Sequence, residues 1–235
     1  HTTIGIDDDR SGSSIAWDAT AVDEDPESWT ALLFARGGDG TVGAAGNTVR
    51  IVGDARQLQV QGFAEYDSRR AGAITVSHLR IGGDPAQKCY RIGRARLVAV
   101  HAFDLLGRIP VCTRLEPGGT LLLNSPYPAS RVWGHLPEAV RAELTARDAR
   151  LYAIDAERIA RECGLGGRIN VIMQGALFAL TEWLPRDEAL ERIEAGIRTA
   201  YGVQGEDVVA RNRKAARKGF DRLREVAVPP GAHAA

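Results

Sequence analysis

The stretch Gly38-Asp39-Gly40-Thr41-Val42-Gly43, placed directly behind the short apolar run Thr30-Ala31-Leu32-Leu33-Phe34-Ala35, constrains this chain more than any other. A continuous apolar run of this length, ending in a glycine-rich loop, reads as a strand buried on both faces of a sheet. The periodicity that follows predicts a helix from Thr41 or Val42. A G-x-G-x-x-G between a strand and a helix has a clear physical use. Glycines let the backbone turn tightly and come close to an anion, which then meets unpaired N–H groups and the positive end of the helix dipole. A phosphate or pyrophosphate suits such a loop. In a chain with 26 glycines the same pattern is also compatible with a plain strand-to-helix turn, so its surroundings carry the weight.

Those surroundings repeat the theme. Leu58 to Tyr66 and Ala73 to Ile81 alternate apolar and polar residues, and Leu97-Val98-Ala99-Val100 is a compact buried-strand run. Further strands are predicted at Thr120 to Leu123 and Leu151 to Ile154, with a helix over Pro137 to Arg150 between them. Asn170 to Leu184 is apolar all round and reads as a helix buried against the sheet. Pro185 to Tyr201 and Glu206 to about Val226 have apolar residues at helical spacing and charged outer faces. The predicted fold is α/β: a three-layer, Rossmann-like domain with a largely parallel sheet and C-terminal helices. Residues 1–26 carry two acidic runs, Asp7-Asp8-Asp9 and Asp23-Glu24-Asp25, and read as an extended N-terminal arm or interdomain linker. Residues 27–228 form the α/β domain, and 229–235 read as a frayed tail.

Charge and composition exclude several functions. Thirty basic and thirty acidic side chains cancel, so no overall field draws the chain to nucleic acid or to an anionic membrane, and any anion site is local. No apolar stretch reaches the roughly 18 residues of a membrane span, and no signal-peptide pattern opens the chain, which points to a cytoplasmic protein. Cys89, Cys112 and Cys163 are scattered and form no C-x-x-C, so they read as buried small hydrophobes rather than cluster or zinc ligands, and no metal site is assigned.

Beyond the glycine loop, the predicted strand ending at Tyr66 runs into Asp67-Ser68-Arg69-Arg70. Guanidinium forks suit phosphate, though paired arginines at a strand end are as readily a solvated loop. Glu65 lies about twenty residues beyond the last glycine, where a nicotinamide-binding Rossmann domain places its ribose-binding acid. His78 and His101 read as core or loop histidines. The loop Gly164 to Asn170 is either a further anion contact or a helix C-cap followed by a turn.

In order and spacing these residues resemble the gamma domain of the pyruvate:ferredoxin (flavodoxin) oxidoreductases, in the 2-oxoacid oxidoreductase family. The resemblance runs almost end to end. It rests on Gly5-Ile6-Asp7-Asp8-Asp9, Gly38 to Gly43, Tyr66 to Arg70, Thr75-Val76-Ser77-His78-Leu79-Arg80, Gly118-Gly119-Thr120, Asn124-Ser125-Pro126, Gly166-Gly167-Arg168-Ile169-Asn170, Leu184-Pro185-Arg186 and Tyr201-Gly202. It implies a component of an enzyme that converts pyruvate to acetyl-CoA and carbon dioxide and reduces ferredoxin or flavodoxin. The implied contribution of this chain is coenzyme A binding, by Asp39, Gly40, Thr41 and Val42 with Arg69 and Arg70, together with assembly contacts. Thiamine diphosphate, Mg2+ and iron–sulfur clusters are implied on partner domains or subunits. The arm at Gly5 to Asp9 resembles the tail of a preceding domain in a fused polypeptide. The family usually shows lysine at the basic pair, and Asn-Lys-Asn where Ala45-Gly46-Asn47 stands here. Two other readings remain: an NAD(P)-binding Rossmann oxidoreductase domain, and a non-catalytic structural subunit.

Overall fold

A computed structural model of the chain describes residues 3–4, 14–15, 27–66, 73–83 and 90–229. The predicted arm and tail therefore lie largely outside the described residues. Within the arm, the two-residue strands β1 (Thr3–Ile4) and β2 (Ser14–Ile15) pair in parallel.

The domain is built on a seven-stranded sheet. Its strands are β3 (Trp29–Arg36), β4 (Val60–Tyr66), β5 (Ile74–Ile81), β6 (Ala95–Val100), β7 (Leu115–Asn124), β8 (Arg150–Ile154) and β9 (Arg224–Val226). They lie in the order β4-β5-β3-β6-β7-β8-β9. Strands β3, β6, β7 and β8 are mutually parallel, and β4 points the same way. Strands β5 and β9 run against their neighbours. The β4–β5 reversal follows from chain length: residues 67–73 separate the two strands, and a parallel return needs a dozen residues or more. Between β3 and β4 the chain crosses the sheet through helix α1 (Thr41–Arg56), and β5 then inserts between them, a split β-α-β unit.

The period of two along the buried strands feeds two cores. On β3, Ala31 and Leu33 face one side and Leu32 and Phe34 the other; on β6, Leu97 and Ala99 oppose Val98 and Val100. The first core is covered by α1, α4 (Ala156–Glu162), α5 (Asn170–Thr181), α6 (Arg186–Tyr201) and α7 (Glu206–Arg222). The second is covered by short 3-10 turns at Phe103–Gly107 and Val111–Arg114 and by α2 (Ala129–His135) and α3 (Glu138–Ala146). Helix, sheet and helix make the three predicted layers. The apolar helix α5 is pressed against α7 at a glycine pair: a Cβ on Gly175 would strike the Ala216 carbonyl, and one on Gly219 the carbonyl of Ile172.

The predicted helix over Pro137 to Arg150 is shorter in the structure. It ends at Ala146, Asp148 takes a left-handed φ of 49°, and Arg150 already belongs to β8. No helix among the described residues is long and apolar enough to cross a membrane.

Candidate functional site at the carboxyl edge of the sheet

The carboxyl ends of β3, β6, β7 and β8 lie along one edge of the sheet. From β3 the chain turns toward β4, and from β6 it turns the other way, toward β7. Crevices open where connections diverge in this manner, and ligands of open α/β sheets bind there.

The glycine loop fills the β3 side of that point. Gly38 and Gly40 have φ of 90° and 87°, a region that side chains rarely occupy, so this turn demands glycine. Gly40 has a second reason to lack a side chain, because a Cβ there would come within 2.9 Å of Asn170 Nδ2. At the mouth of α1, Asp39 Oδ1 accepts the Thr41 N–H at 2.8 Å, and the Ala44 N–H turns back to the Gly40 carbonyl at 3.1 Å. The N–H groups of Val42 and Gly43 make no hydrogen bond within the described residues. Two donors and the positive end of the helix dipole are thus left without an acceptor among the described residues, beside one carboxylate already in place. A phosphate arriving there needs a cation to offset Asp39.

The sequence offers Arg69 and Arg70 for that role, and both lie outside the described residues. Their flanks are informative. Arg36 at the end of β3 and Tyr66 at the end of β4 stand opposite Ile74 and Thr75 at the start of β5, so β3 and β4 end at the same edge of the sheet. One strand lies between them, a separation of about 10 Å. The Gly37 N–H closes on the Ala73 carbonyl at 2.8 Å.

Glu65 does not present a free carboxylate. It is ion-paired with Arg91, and its Oε1 stands 3.5 Å from His78 Nε2. The ribose-binding role entertained for Glu65 is therefore filled by an internal contact. His78 accepts the Ile92 N–H at Nδ1 and stacks on Phe63, and burial, aided by Arg114, Arg80 and Arg91, lowers its pKa to about 4. Its neighbour Arg80 is fully buried, bonded to Gln61 Oε1 and the Tyr90 carbonyl. The Thr75 to Arg80 motif thus pins segment 90–92 to the sheet.

His101, one strand away, ties the edge together. Its Nδ1 lies 2.7 Å from Thr41 Oγ1, its N–H bonds the Phe34 carbonyl, and its carbonyl accepts from Asn124 Nδ2. Asn124 Oδ1 in turn accepts the Ala156 N–H at the start of α4. The loops after β3, β6, β7 and β8 are therefore linked by one run of buried polar contacts. Burial is the main cause that lowers the His101 pKa to about 4, against the opposing pull of Asp39. Among the predicted site residues, Asp39, Gly40 and Thr41 belong to this assembly, whereas Val42 is half exposed beside it.

Two cavities flank the loop. One, of about 750 Å³, is lined by Asp39, His101, Phe103, Pro126, Gly167 and Ile169 among others. The second, about 310 Å³, lies between the mouth of α1 and the ends of α5 and α6, where Gly40, Gly43, Asn170 and Tyr201 meet. Asn170 Nδ2 donates to the Tyr201 hydroxyl at 3.3 Å, while its buried Oδ1 has no hydrogen-bond partner. The loop at Gly164 to Asn170 is both a cap and a wall. Gly164, at φ 69°, ends α4 with N–H bonds back to that helix, and Gly166 and Gly167 border the larger cavity. Sequence reasoning did not single out Asn124 or Tyr201 as site residues, and reached Asn170 only as the end of the Gly164 to Asn170 loop, yet each lies in a short motif on which the family resemblance rests. Cys112 and Cys163 are buried free thiols, and burial pushes Cys112 up to about 12; Cys89 lies outside the described residues.

Comparisons with known proteins bear on the family and the fold. The family model described as pyruvate ferredoxin/flavodoxin oxidoreductase matches residues 30–222. A pyruvate-flavodoxin oxidoreductase of Trichormus variabilis is 40% identical over 235 residues, covering 98% of this chain and 20% of the relative. A pyruvate:ferredoxin oxidoreductase of Moorella thermoacetica is 37% identical, covering 97% of this chain and 19% of its own length. The chain thus spans about a fifth of the length of these relatives. Among solved structures, pyruvate oxidoreductase subunit PORC of Thermotoga maritima superposes with a TM-score of 0.68 at 26% identity, covering 86% of this chain and 99% of that one.

Proposed function

We propose, from the premise that this chain belongs to the pyruvate ferredoxin/flavodoxin oxidoreductase family, that it holds coenzyme A within a larger enzyme that oxidises pyruvate to acetyl-CoA. Ferredoxin or flavodoxin takes the electrons in this reading, and thiamine diphosphate, Mg2+ and the iron–sulfur clusters belong to other domains or subunits. The observation that carries it is the mouth of α1, where the Val42 and Gly43 N–H groups have no acceptor among the described residues, at the edge where β4, the strand that precedes Arg69 and Arg70 in the sequence, also ends. Coenzyme A brings a diphosphate and a ribose phosphate. The diphosphate takes the loop N–H groups, and the guanidinium forks take the ribose phosphate and offset Asp39. The two buried thiols are unsuited to holding a cluster, which supports placing electron transfer elsewhere.

Replacing Arg69 and Arg70 together by alanine tests this. Each charge-assisted hydrogen bond contributes on the order of 1.5 to 3 kcal/mol, so the KM for coenzyme A in the assembled enzyme is expected to rise about 10-fold to well over 100-fold. Pyruvate-dependent electron transfer measured without coenzyme A should change far less. An unchanged KM would make the arginines ordinary surface charge and sink the assignment.

A further inference from the structure

The Gly118-Gly119-Thr120 motif has no part in the glycine-loop edge, because it lies early in β7, at the opposite, amino edge of the sheet. Its glycines serve a bulge. Between the pairs Ala95–Leu115 and Leu97–Thr120, two residues of β6 are matched by five of β7. Such an insertion re-aims the strand that carries it. Gly118 takes φ 70°, and a Cβ on Gly119 would come within 2.8 Å of the Glu116 carbonyl. The bulge, the starts of β3 and β8 and the last turn of α5 surround a cavity of about 440 Å³.

Three polar side chains there are left over. Thr120 and Arg150 are Cα partners across β7 and β8, and Tyr152 follows two residues later on the same face. All three line the cavity, and none of their side chains has a hydrogen bond or ion pair among the described residues. Thr120 is only 5% exposed, a setting in which a hydroxyl is normally partnered. The acid in the wall is already held: Glu116 stands 3.8 Å from Arg96 Nε and accepts from the Thr30 hydroxyl at 3.5 Å. A guanidinium fork with two hydroxyls suits a carboxylate, and Glu116 nearby disfavours a doubly charged phosphate. Trp29, Leu97 and Leu180 add an apolar wall for a carbon stem, with Trp29 fixed edge-on to Trp183 at 4.6 Å.

The edge itself indicates where such a carboxylate comes from. Strand β3 begins here at Trp29, and β9 ends here, with Val226 beside Leu151. The described domain is thus entered and left at this edge, so a domain joined to it in one polypeptide is tethered beside the cavity, at the high effective concentration a tether gives. The relatives, of whose length this chain spans about a fifth, have many residues to supply one. We propose that the amino-edge cavity is a docking site for another domain of the larger oxidoreductase, which inserts an acidic side chain whose carboxylate meets Arg150, Tyr152 and Thr120. The proposal rests on the reading that this chain works inside a larger enzyme, and not on the coenzyme A assignment.

The assembled oxidoreductase tests it without substitution. Its arginines are labelled with phenylglyoxal, and the modified positions are followed by mass spectrometry. Docked Arg150 should react about tenfold or more slowly than the faster of Arg131 and Arg211, two exposed arginines equally without partners among the described residues. Free reaction of Arg150 overturns the proposal. So does protection that appears only when malonate is added, which would make the cavity a site for a small carboxylate. Arg150→Lys then identifies the partner, because a carbodiimide should join the new amine to an Asp or Glu outside these 235 residues. A link only to Glu116, Asp148 or Glu225 of this chain, or no link, refutes docking. Native mass separates the two readings: a protein with the mass of this chain alone ends the larger-enzyme reading, whereas a larger mass with a freely reactive Arg150 ends the docking site alone.

Discussion

Alanine at Gly40 and alanine at Gly43 should move this protein in opposite directions, although both glycines belong to the same motif. At Gly40 the backbone sits at φ 87°, and placing a Cβ-bearing residue in the left-handed region costs roughly 1–2 kcal/mol. The new Cβ would also stand 2.9 Å from Asn170 Nδ2, so Asn170 must shift and its bond to Tyr201 weakens, at a cost of up to about 1 kcal/mol. Gly40→Ala should therefore destabilise the fold by about 2–3 kcal/mol, a fall of roughly 4–12 °C in Tm for a domain of this size. Gly43 lies inside α1, and a Cβ there meets nothing within 4 Å. Alanine is up to about 1 kcal/mol better than glycine inside a helix, so Gly43→Ala should leave Tm equal or a few degrees higher. Its methyl group nevertheless occupies the mouth of α1, beside the unclaimed N–H groups. The KM for coenzyme A should rise in both variants, with stability lost in only one. Thermal unfolding and steady-state kinetics on the same preparations separate the effects. A normal KM in a fully stable Gly43→Ala protein would show that no ligand packs against this glycine and would refute the placement of the diphosphate. An unchanged Tm in Gly40→Ala would refute the loop geometry.

Two further outcomes concern the scaffold. Gly219→Ala should lower Tm despite the gain in helix propensity, because the new Cβ runs into the Ile172 carbonyl where α5 and α7 touch; overpacking of this kind costs about 1–3 kcal/mol, and a raised Tm would contradict the close helix contact. His78 and His101 are both held near pKa 4, below the unfolded value of about 6.5, so the unfolded chain gains protons first as pH falls. Stability should drop between about pH 6.5 and 4, by up to about 3 kcal/mol for each histidine, and denaturant midpoints should show a shallower fall in His101→Gln than in the parent; identical slopes would contradict the buried neutral state.

The strands were legible because they are buried on both faces. Leu32-Leu33-Phe34-Ala35 and Leu97-Val98-Ala99-Val100 have no polar interruption, and each became a central strand feeding both cores. Short elements escaped. Helix α4 spans only Ala156–Glu162, too short for periodicity to register, and its visible mark is Asp155, whose carboxylate caps the Arg158 N–H at 2.9 Å. Strand β9 is three residues long and follows directly on a charged helix, so only the sheet edge at β8 reveals it as a strand. His101 was legible as a core histidine but not as the link between Thr41 and Asn124, since the sixty residues separating it from Thr41 meet only once the sheet has formed.

The strand that precedes Arg69 and Arg70 in the sequence ends at the same sheet edge as the strand before the glycine loop, although the two are not neighbours. β4 is not the neighbour of β3, because an antiparallel strand lies between them. The brevity of residues 67–73 forbids a parallel return, so β5 must reverse. Having reversed, it pairs antiparallel with β3 as well, and two reversals restore direction: β4 and β3 both end where β5 begins. The cost is one strand of separation between the ends of β3 and β4. A single phosphate does not bridge that span of about 10 Å, whereas a ligand carrying a ribose phosphate and a diphosphate at different points along its length does. On the coenzyme A reading proposed above, sheet order thus favours an extended, multiply charged ligand over a simple inorganic anion.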